Sequence, residues 1–169
     1  PSPVPAVAVH PIDLAAFWPG YEAVACRSSA NNSLLIELEP QAGSVPKCGR
    51  CGQLSPLIHE RRIRLVRDRD LFDQRVLLQL PVRRVDCLNC GRVTERIDWL
   101  EPASRLTQRL RIWLESLLRL LPISHVSRLS GLHWHTLKTL DKRRLEAEVG
   151  TFNSSDVRRL VMDEFALHK

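Results

Sequence analysis

Two short cysteine knuckles constrain this chain more than any other feature of its sequence. Cys48-Gly49-Arg50-Cys51-Gly52 and Cys87-Leu88-Asn89-Cys90-Gly91 share the pattern Cys-x-x-Cys-Gly. Two thiolates separated by two residues grip one side of a tetrahedral zinc ion. The glycine that follows permits a positive-φ turn that aims backbone amides at sulfur. Together the knuckles supply four sulfurs, a closed site with no position left for water, so the metal they imply is structural. Iron in a similar four-sulfur site is the alternative. A redox pair or a set of unrelated thiols accounts for one knuckle better than for two. The 35 residues between Cys51 and Cys87 leave room for two strands. Cys26 stands alone and reads as a small buried hydrophobe.

Composition narrows the setting. With 169 residues, 44% of them hydrophobic, the chain is long enough to bury a core. Its longest apolar stretch, Leu110 to Leu121, is broken by Arg111, Glu115 and Arg119. It falls short of the roughly 20 residues a membrane span needs. The N-terminus lacks the basic region and apolar stretch of a secretory signal. Close cysteine pairs suit a reducing compartment, so the chain reads as cytoplasmic. The net charge of +6 is by itself a weak hint of nucleic acid. Its placement says more.

Residues 1–45 begin Pro-rich, with an amphipathic turn through Ile12, Leu14, Phe17 and Trp18. They continue as a hairpin, because Asn31-Asn32 interrupts two apolar stretches and Asn tolerates left-handed turn geometry. This region is expected to pack on the cysteine module at 46–100. Between the knuckles lie two arginine-laden strands, Leu57 to Val66 and Arg75 to Val85, with a turn at Asp70 to Asp73. In the second, Val76, Leu78, Leu80 and Val82 repeat every second residue. From Ile58 to Arg96 there are ten Arg against six acids, a net +4. Arg61, Arg62, Arg64, Arg83 and Arg84 are the candidate contacts to a phosphate backbone. A solvated sheet face with local Arg–Asp pairing is the plainer account of the same residues.

Past Glu101-Pro102 the period becomes helical, defining a module at 104–149. Ser104 is a plausible N-cap, and Leu106, Leu110, Trp113, Leu114, Leu117 and Leu121 share a face until Pro122. A short helix from Ser124 to Leu129 and a longer one from His133 to Val149 flank Gly131, the arrangement of a helix-turn-helix. Val126, Leu129, Leu132, Leu137 and Leu140 are expected to pack the two helices together. His133, His135, Thr136, Lys138 and Thr139 then begin a recognition helix and reach base edges of double-stranded DNA. Lys142, Arg143 and Arg144 suit phosphate, and Trp134 serves equally well as a core residue. Ser104 to Leu145 carries a net +7. A protein-interaction hairpin with a basic face is the rival account.

The order of these features resembles bacterial insertion-sequence transposases of the ISL-three family. The cysteine region with Arg83-Arg84-Val85-Asp86-Cys87 and Glu95 is similar to that family's zinc finger. Ser124 through Lys138 resembles its helix-turn-helix, with Ser127, His133 and His135 as departures. Val161-Met162-Asp163-Glu164-Phe165-Ala166 resembles the motif that opens its catalytic domain. The resemblance implies an α+β chain: a zinc-ribbon-like module, a helix-turn-helix module and, at 156–169, the start of an RNase-H-like domain. It implies structural zinc on Cys48, Cys51, Cys87 and Cys90, and transposon terminal inverted repeats as the DNA, with a homodimer left open. Asp163 would be one of three catalytic carboxylates that bind magnesium or manganese in a full-length parent. The chain alone is expected to bind DNA without cutting it. A stand-alone transcriptional regulator, a truncated inhibitor of transposase and a protein scaffold are the alternatives.

Overall fold

A computed structural model describes residues 16–29, 31–150, 155 and 158–159. Apart from residues 158 and 159, the expected start of an RNase-H-like domain at 156–169, with Asp163, lies outside the described residues, as do Ile12 and Leu14. The described chain is mixed α+β and divides into two compact units, one ending at Trp113 and the other beginning at Leu114. No helix among the described residues is long and apolar enough to cross a membrane.

The first unit is a six-stranded sheet: β1 (Tyr21–Ser29), β2 (Ser33–Pro40), β3 (Lys47–Cys48), β4 (Ile58–Arg67), β5 (Arg75–Cys87) and β6 (Gly91–Arg96). β1 and β2 form the expected antiparallel hairpin, with Asn32 at φ 53 in the turn. The hairpin joins the sheet edge to edge, because β2 pairs in parallel with β5 from Ser33↔Arg75 to Glu37↔Gln79. β4 pairs along the opposite side of β5, from Ile58↔Val85 to Arg67↔Leu77. β6 pairs with the end of β5, from Arg84↔Thr94 to Cys87↔Gly91, and β3 with β6.

Strand β5 is therefore central, and its burial follows. Val76, Leu78, Leu80 and Val82 join Ile36, Leu38, Val66, Trp18 and Tyr21 in the main core. Its β2 partners stop at Gln79 and its β6 partners start at Arg84, leaving a gap at Leu80 to Arg83 on that side. Pro81 sits in this gap, where the missing N–H of proline costs no ladder bond. Two residues on, the Arg83 N–H points the same way and donates to Glu95 Oε1 at 2.7 Å. A side-chain carboxylate thus completes the strand where no neighbouring backbone does.

Helix α1 (Gln108–Leu118) crosses the boundary between the units. Its start corrects the expectation of a Ser104 cap. Leu110 N–H instead donates to Thr107 Oγ1 at 3.3 Å, while the Ser104 hydroxyl is occupied by Leu106. Leu110, Leu114 and Leu118 are its buried row, at the four-residue spacing of one helix face. In the second unit α2 (Ile123–Ser130) and α3 (Trp134–Val149) are joined at Gly131, in the left-handed region at φ 64. There a glycine ends a helix without Cβ strain. Val126, Leu137 and Leu140 are buried as expected. Leu129 is not: it is 63% exposed, and Ser130 is buried in its place. The Ser130 hydroxyl satisfies itself on Val126 O at 2.7 Å, so a small polar residue is buried there without an unpaired donor.

Candidate metal centre and nucleic-acid interface

The four expected cysteines come together. β3 ends on Cys48, β5 ends on Cys87, and the two turns that follow carry Cys51 and Cys90. All four Sγ atoms lie within 4.8 Å of one another, with Cys51 and Cys87 at 3.6 Å. A tetrahedron with Zn–S bonds of about 2.3 Å has sulfurs about 3.8 Å apart, so the cluster matches the group it would hold. Arg50 N–H and Cys51 N–H point at Cys48 Sγ at 3.4 and 3.5 Å. Gly52 and Gly91 adopt φ 76 and 72, the positive values expected of them. Gly49 is required for another reason. Its N–H donates to Thr94 O at 3.1 Å, and a Cβ there would lie 2.3 Å from that oxygen.

Charge balance points the same way. Hydrogen bonds from the Cys51 and Arg50 amides hold the Cys48 thiol down at about 6. Burial, then hydrogen bonding to Cys51 and Cys48, pushes Cys90 up to about 12. Four sulfurs this close cannot all ionise together without a cation between them. The donor set fits structural zinc, which would tie the ends of β3 and β5 and the turns after them into one corner. It would supply cross-linking and no open coordination position.

Helix α3 places its side chains by the same rule as any amphipathic helix. Leu137 and Leu140 face inward, while His133, His135, Thr136, Lys138, Thr139, Lys142 and Arg143 are exposed. His133 is the N-cap, its Nδ1 accepting from His135 N–H at 3.3 Å, and its ring stacks on His135 at 5.3 Å. Lys138 Nζ lies 5.2 Å from the centre of the Trp134 ring, so the half-exposed tryptophan steadies that ammonium. Arg143 extends into solvent. Arg144 does not: its fork is taken by Asp141 at 2.7 Å and Glu148 at 2.9 Å. Lys142 approaches Glu146 at 3.7 Å, both well exposed, a pairing of little consequence.

Sheet arginines meet more varied fates. Arg61 is exposed on β4. Arg62 and Arg84 share Glu60, at 2.8 and 3.8 Å. Arg64 is partly buried and donates to the Ser104 carbonyl. Arg83 is a correction, because it is buried and its whole fork is used. Its Nε and Nη2 reach Glu95 Oε2 at 2.8 and 2.7 Å, and its Nη1 reaches Ser44 O at 3.1 Å. This side chain is 7% exposed, so little of the guanidinium is open to a phosphate. Cys26 is corrected in the other direction, since it is exposed on β1.

Comparison with known proteins fits this geometry. Residues 44–90 match the family model described as zinc-finger of transposase IS204/IS1001/IS1096/IS1165. Residues 95–145 match the helix-turn-helix domain of transposase family ISL3. The transposase for insertion sequence element IS1001 of Bordetella parapertussis is 42% identical over 155 residues, covering 90% of this chain. The chain belongs to the ISL3 transposase family. It spans 38% of that relative's length, and no solved structure matches it. What this ISL3-family chain contains is the N-terminal region with its zinc-ribbon and helix-turn-helix domains.

Reading residues alone missed the buried carboxylates of this family member. Asp68 accepts from Trp18 Nε1 at 2.9 Å, Thr107 Oγ1 at 2.7 Å and Arg109 Nε at 2.7 Å. Burial works against its charge, but hydrogen bonds from Arg109, Thr107 and Trp18 outweigh it and hold the carboxyl below its usual range. Glu95 likewise gathers Arg83 and the Tyr21 hydroxyl, the latter at 3.3 Å. The Tyr21 phenol is raised in turn, chiefly by burial and then by the Glu95 charge. No sequence signal marked either acid as buried: Asp68 lies between Arg67 and Arg69, and Glu95 between Thr94 and Arg96. Nothing local named their partners.

Proposed function

We propose that this chain binds double-stranded DNA in a sequence-specific way at transposon terminal inverted repeats, as the DNA-binding part of a DDE transposase. One observation carries the reading: α3 buries Leu137 and Leu140 while presenting His135, Thr136, Lys138 and Thr139 together on its first turns. A recognition helix reads base edges from its N-terminal residues as it enters the major groove. Lys138 offers a guanine-directed donor, and Thr136 and His135 can serve as donor or acceptor. The Thr139 hydroxyl is already bonded to His135 O at 2.9 Å, which leaves its methyl as the group best placed for a base. Arg143 and the loosely held Lys142 sit farther along, where phosphate contacts orient a helix without reading sequence.

The zinc corner makes no base contact in this account. It holds the sheet whose exposed Arg61 adds sequence-independent affinity. In a longer parent protein, Asp163 would stand as the first carboxylate of an RNase-H-like core, with magnesium or manganese activating the attacking oxygen. One carboxylate does not assemble such a centre, so the reading assigns this region binding and not cleavage.

Selection from a random pool of DNA duplexes tests the proposal. Repeated rounds with the zinc-loaded chain should enrich one motif. Recovery of the starting pool unchanged would sink the reading and leave a protein-assembly role for the helices.

A further inference from the structure

A second basic feature lies beside β4. The segment after Ala103 returns along the end of that strand: Arg67 N–H donates to Arg105 O at 2.8 Å, and Thr107 N–H donates to Arg67 O at 3.0 Å. This is a one-residue parallel bridge between Arg67 and Leu106. It sets Arg105 next to Arg64 on an open groove of about 630 Å3, lined by Arg64, Leu65, Arg67, Leu77, Ala103 and Arg105. Leu65 is 53% exposed there, and Ala103 turns the chain at φ 59, in the left-handed region.

The charge in this groove is unbalanced. Its lining contains three arginines and no carboxylate. Arg67 has Asp70 at 2.6 Å. Among the described residues, Arg64 has only the Ser104 carbonyl, and no acidic group pairs with Arg105. Burial, and then the neighbouring Arg105 charge, works against the Arg64 cation. Two guanidinium groups crowded at the edge of a groove gain most from an anion with several acceptor oxygens between them. A floor of Leu65 and Leu77 suits the apolar face of a sugar better than a free inorganic ion.

We propose that Arg64 and Arg105 clamp one phosphodiester of a DNA backbone, with the deoxyribose against Leu65 and Leu77. The proposal rests on the DNA-binding reading above and deepens it, placing a phosphate site on the sheet unit through a residue, Arg105, that the sequence did not single out.

Salt dependence of binding to a random-sequence duplex tests it with the whole zinc-loaded chain. Each phosphate contact adds about 0.9 to the slope of log affinity against log salt. Arg64→Ala, Arg105→Ala and the double variant should each lower that slope by about 0.9, because all three lose the same phosphate. Over a fourfold rise in salt, each variant then loses about 3.5-fold less affinity than the wild type. Arg105 is exposed and holds β4 only through its backbone carbonyl, so Arg105→Ala keeps the fold. Arg105→Lys should retain most of the slope while weakening binding, since the charge remains and the fork is lost. A loss near 1.8 in the double variant overturns the shared clamp in favour of two separate contacts. Unchanged slopes overturn the site and leave DNA binding by α3 standing. A wild-type chain that binds no duplex at all overturns both.

Discussion

Arginines on the β4–β5 sheet and cations on α3 look alike in sequence, yet the structure treats them differently. On α3 the residues expected at DNA remain exposed, apart from Arg144, which is held by Asp141 and Glu148. On the sheet, Arg83 is buried against Glu95, Arg62 and Arg84 share Glu60, and Arg61 alone of the five is exposed without an acid partner among the described residues. A helix pairs charges at three and four residues' distance, so its pairings can be counted along the chain. A sheet pairs them across strands, twelve residues apart for Arg83 and Glu95. Net charge per segment therefore describes the helix face well and the sheet face poorly.

Removing the metal should separate the two regions most sharply. Structural zinc contributes on the order of 10 kcal/mol of folding free energy in small domains. Chelation or Cys87→Ser should therefore abolish amide protection in β3, β5 and β6, read by hydrogen exchange. Protein purified without added metal should carry one zinc per chain. A well-folded, zinc-free sheet would break the comparison at its root.

Arg83→Ala is expected to cost about 3–5 kcal/mol, because it strands the buried Glu95 carboxylate. Thermal or urea unfolding gives the number. A loss below about 1 kcal/mol, together with weakened DNA binding, would return Arg83 to the surface role that its sequence neighbourhood suggests.

Asp68 should reveal itself through pH. Its folded carboxyl is held below the usual carboxylate range, so its contribution is complete above that range and is lost as pH falls through the depressed folded value. Asp68→Asn should lower stability by about 3 kcal/mol near neutrality. That deficit should shrink as the pH of the melt is lowered below about 4. A deficit independent of pH would mean that the Trp18, Thr107 and Arg109 contacts act through packing alone.

Smallest in energy, and sharpest for the comparison, are the effects on DNA. His135→Ala and Lys138→Ala should each cut discrimination between matched and mismatched sites by about 1–3 kcal/mol. Arg61→Ala and Arg143→Ala should weaken all duplexes alike and reduce the salt slope. If Lys138→Ala leaves the preference intact, α3 is not the reading helix.

By itself the sequence determined the zinc site, the two long strands between the knuckles, the helices that follow and the exposed face of α3. Each of these follows from local rules: the Cys-x-x-Cys-Gly spacing, the two-residue alternation of Val76 to Val82, and the helical spacing of Val126, Leu137 and Leu140 around Gly131. Only the tertiary structure decided which charges are spent inside the protein. Leu129 yields its expected place to Ser130, whose hydroxyl is bonded to Val126 O. Thr107, not Ser104, caps α1 because the bridge to Arg67 fixes where the helix can begin. Arg83 lies inside because β5 has a gap between β2 and β6 that Glu95 must complete. Arg105 comes to Arg64 because the segment after Ala103 returns along β4. Such encounters depend on strand order and register, which join residues far apart in the chain, and no local pattern encodes the partner's position.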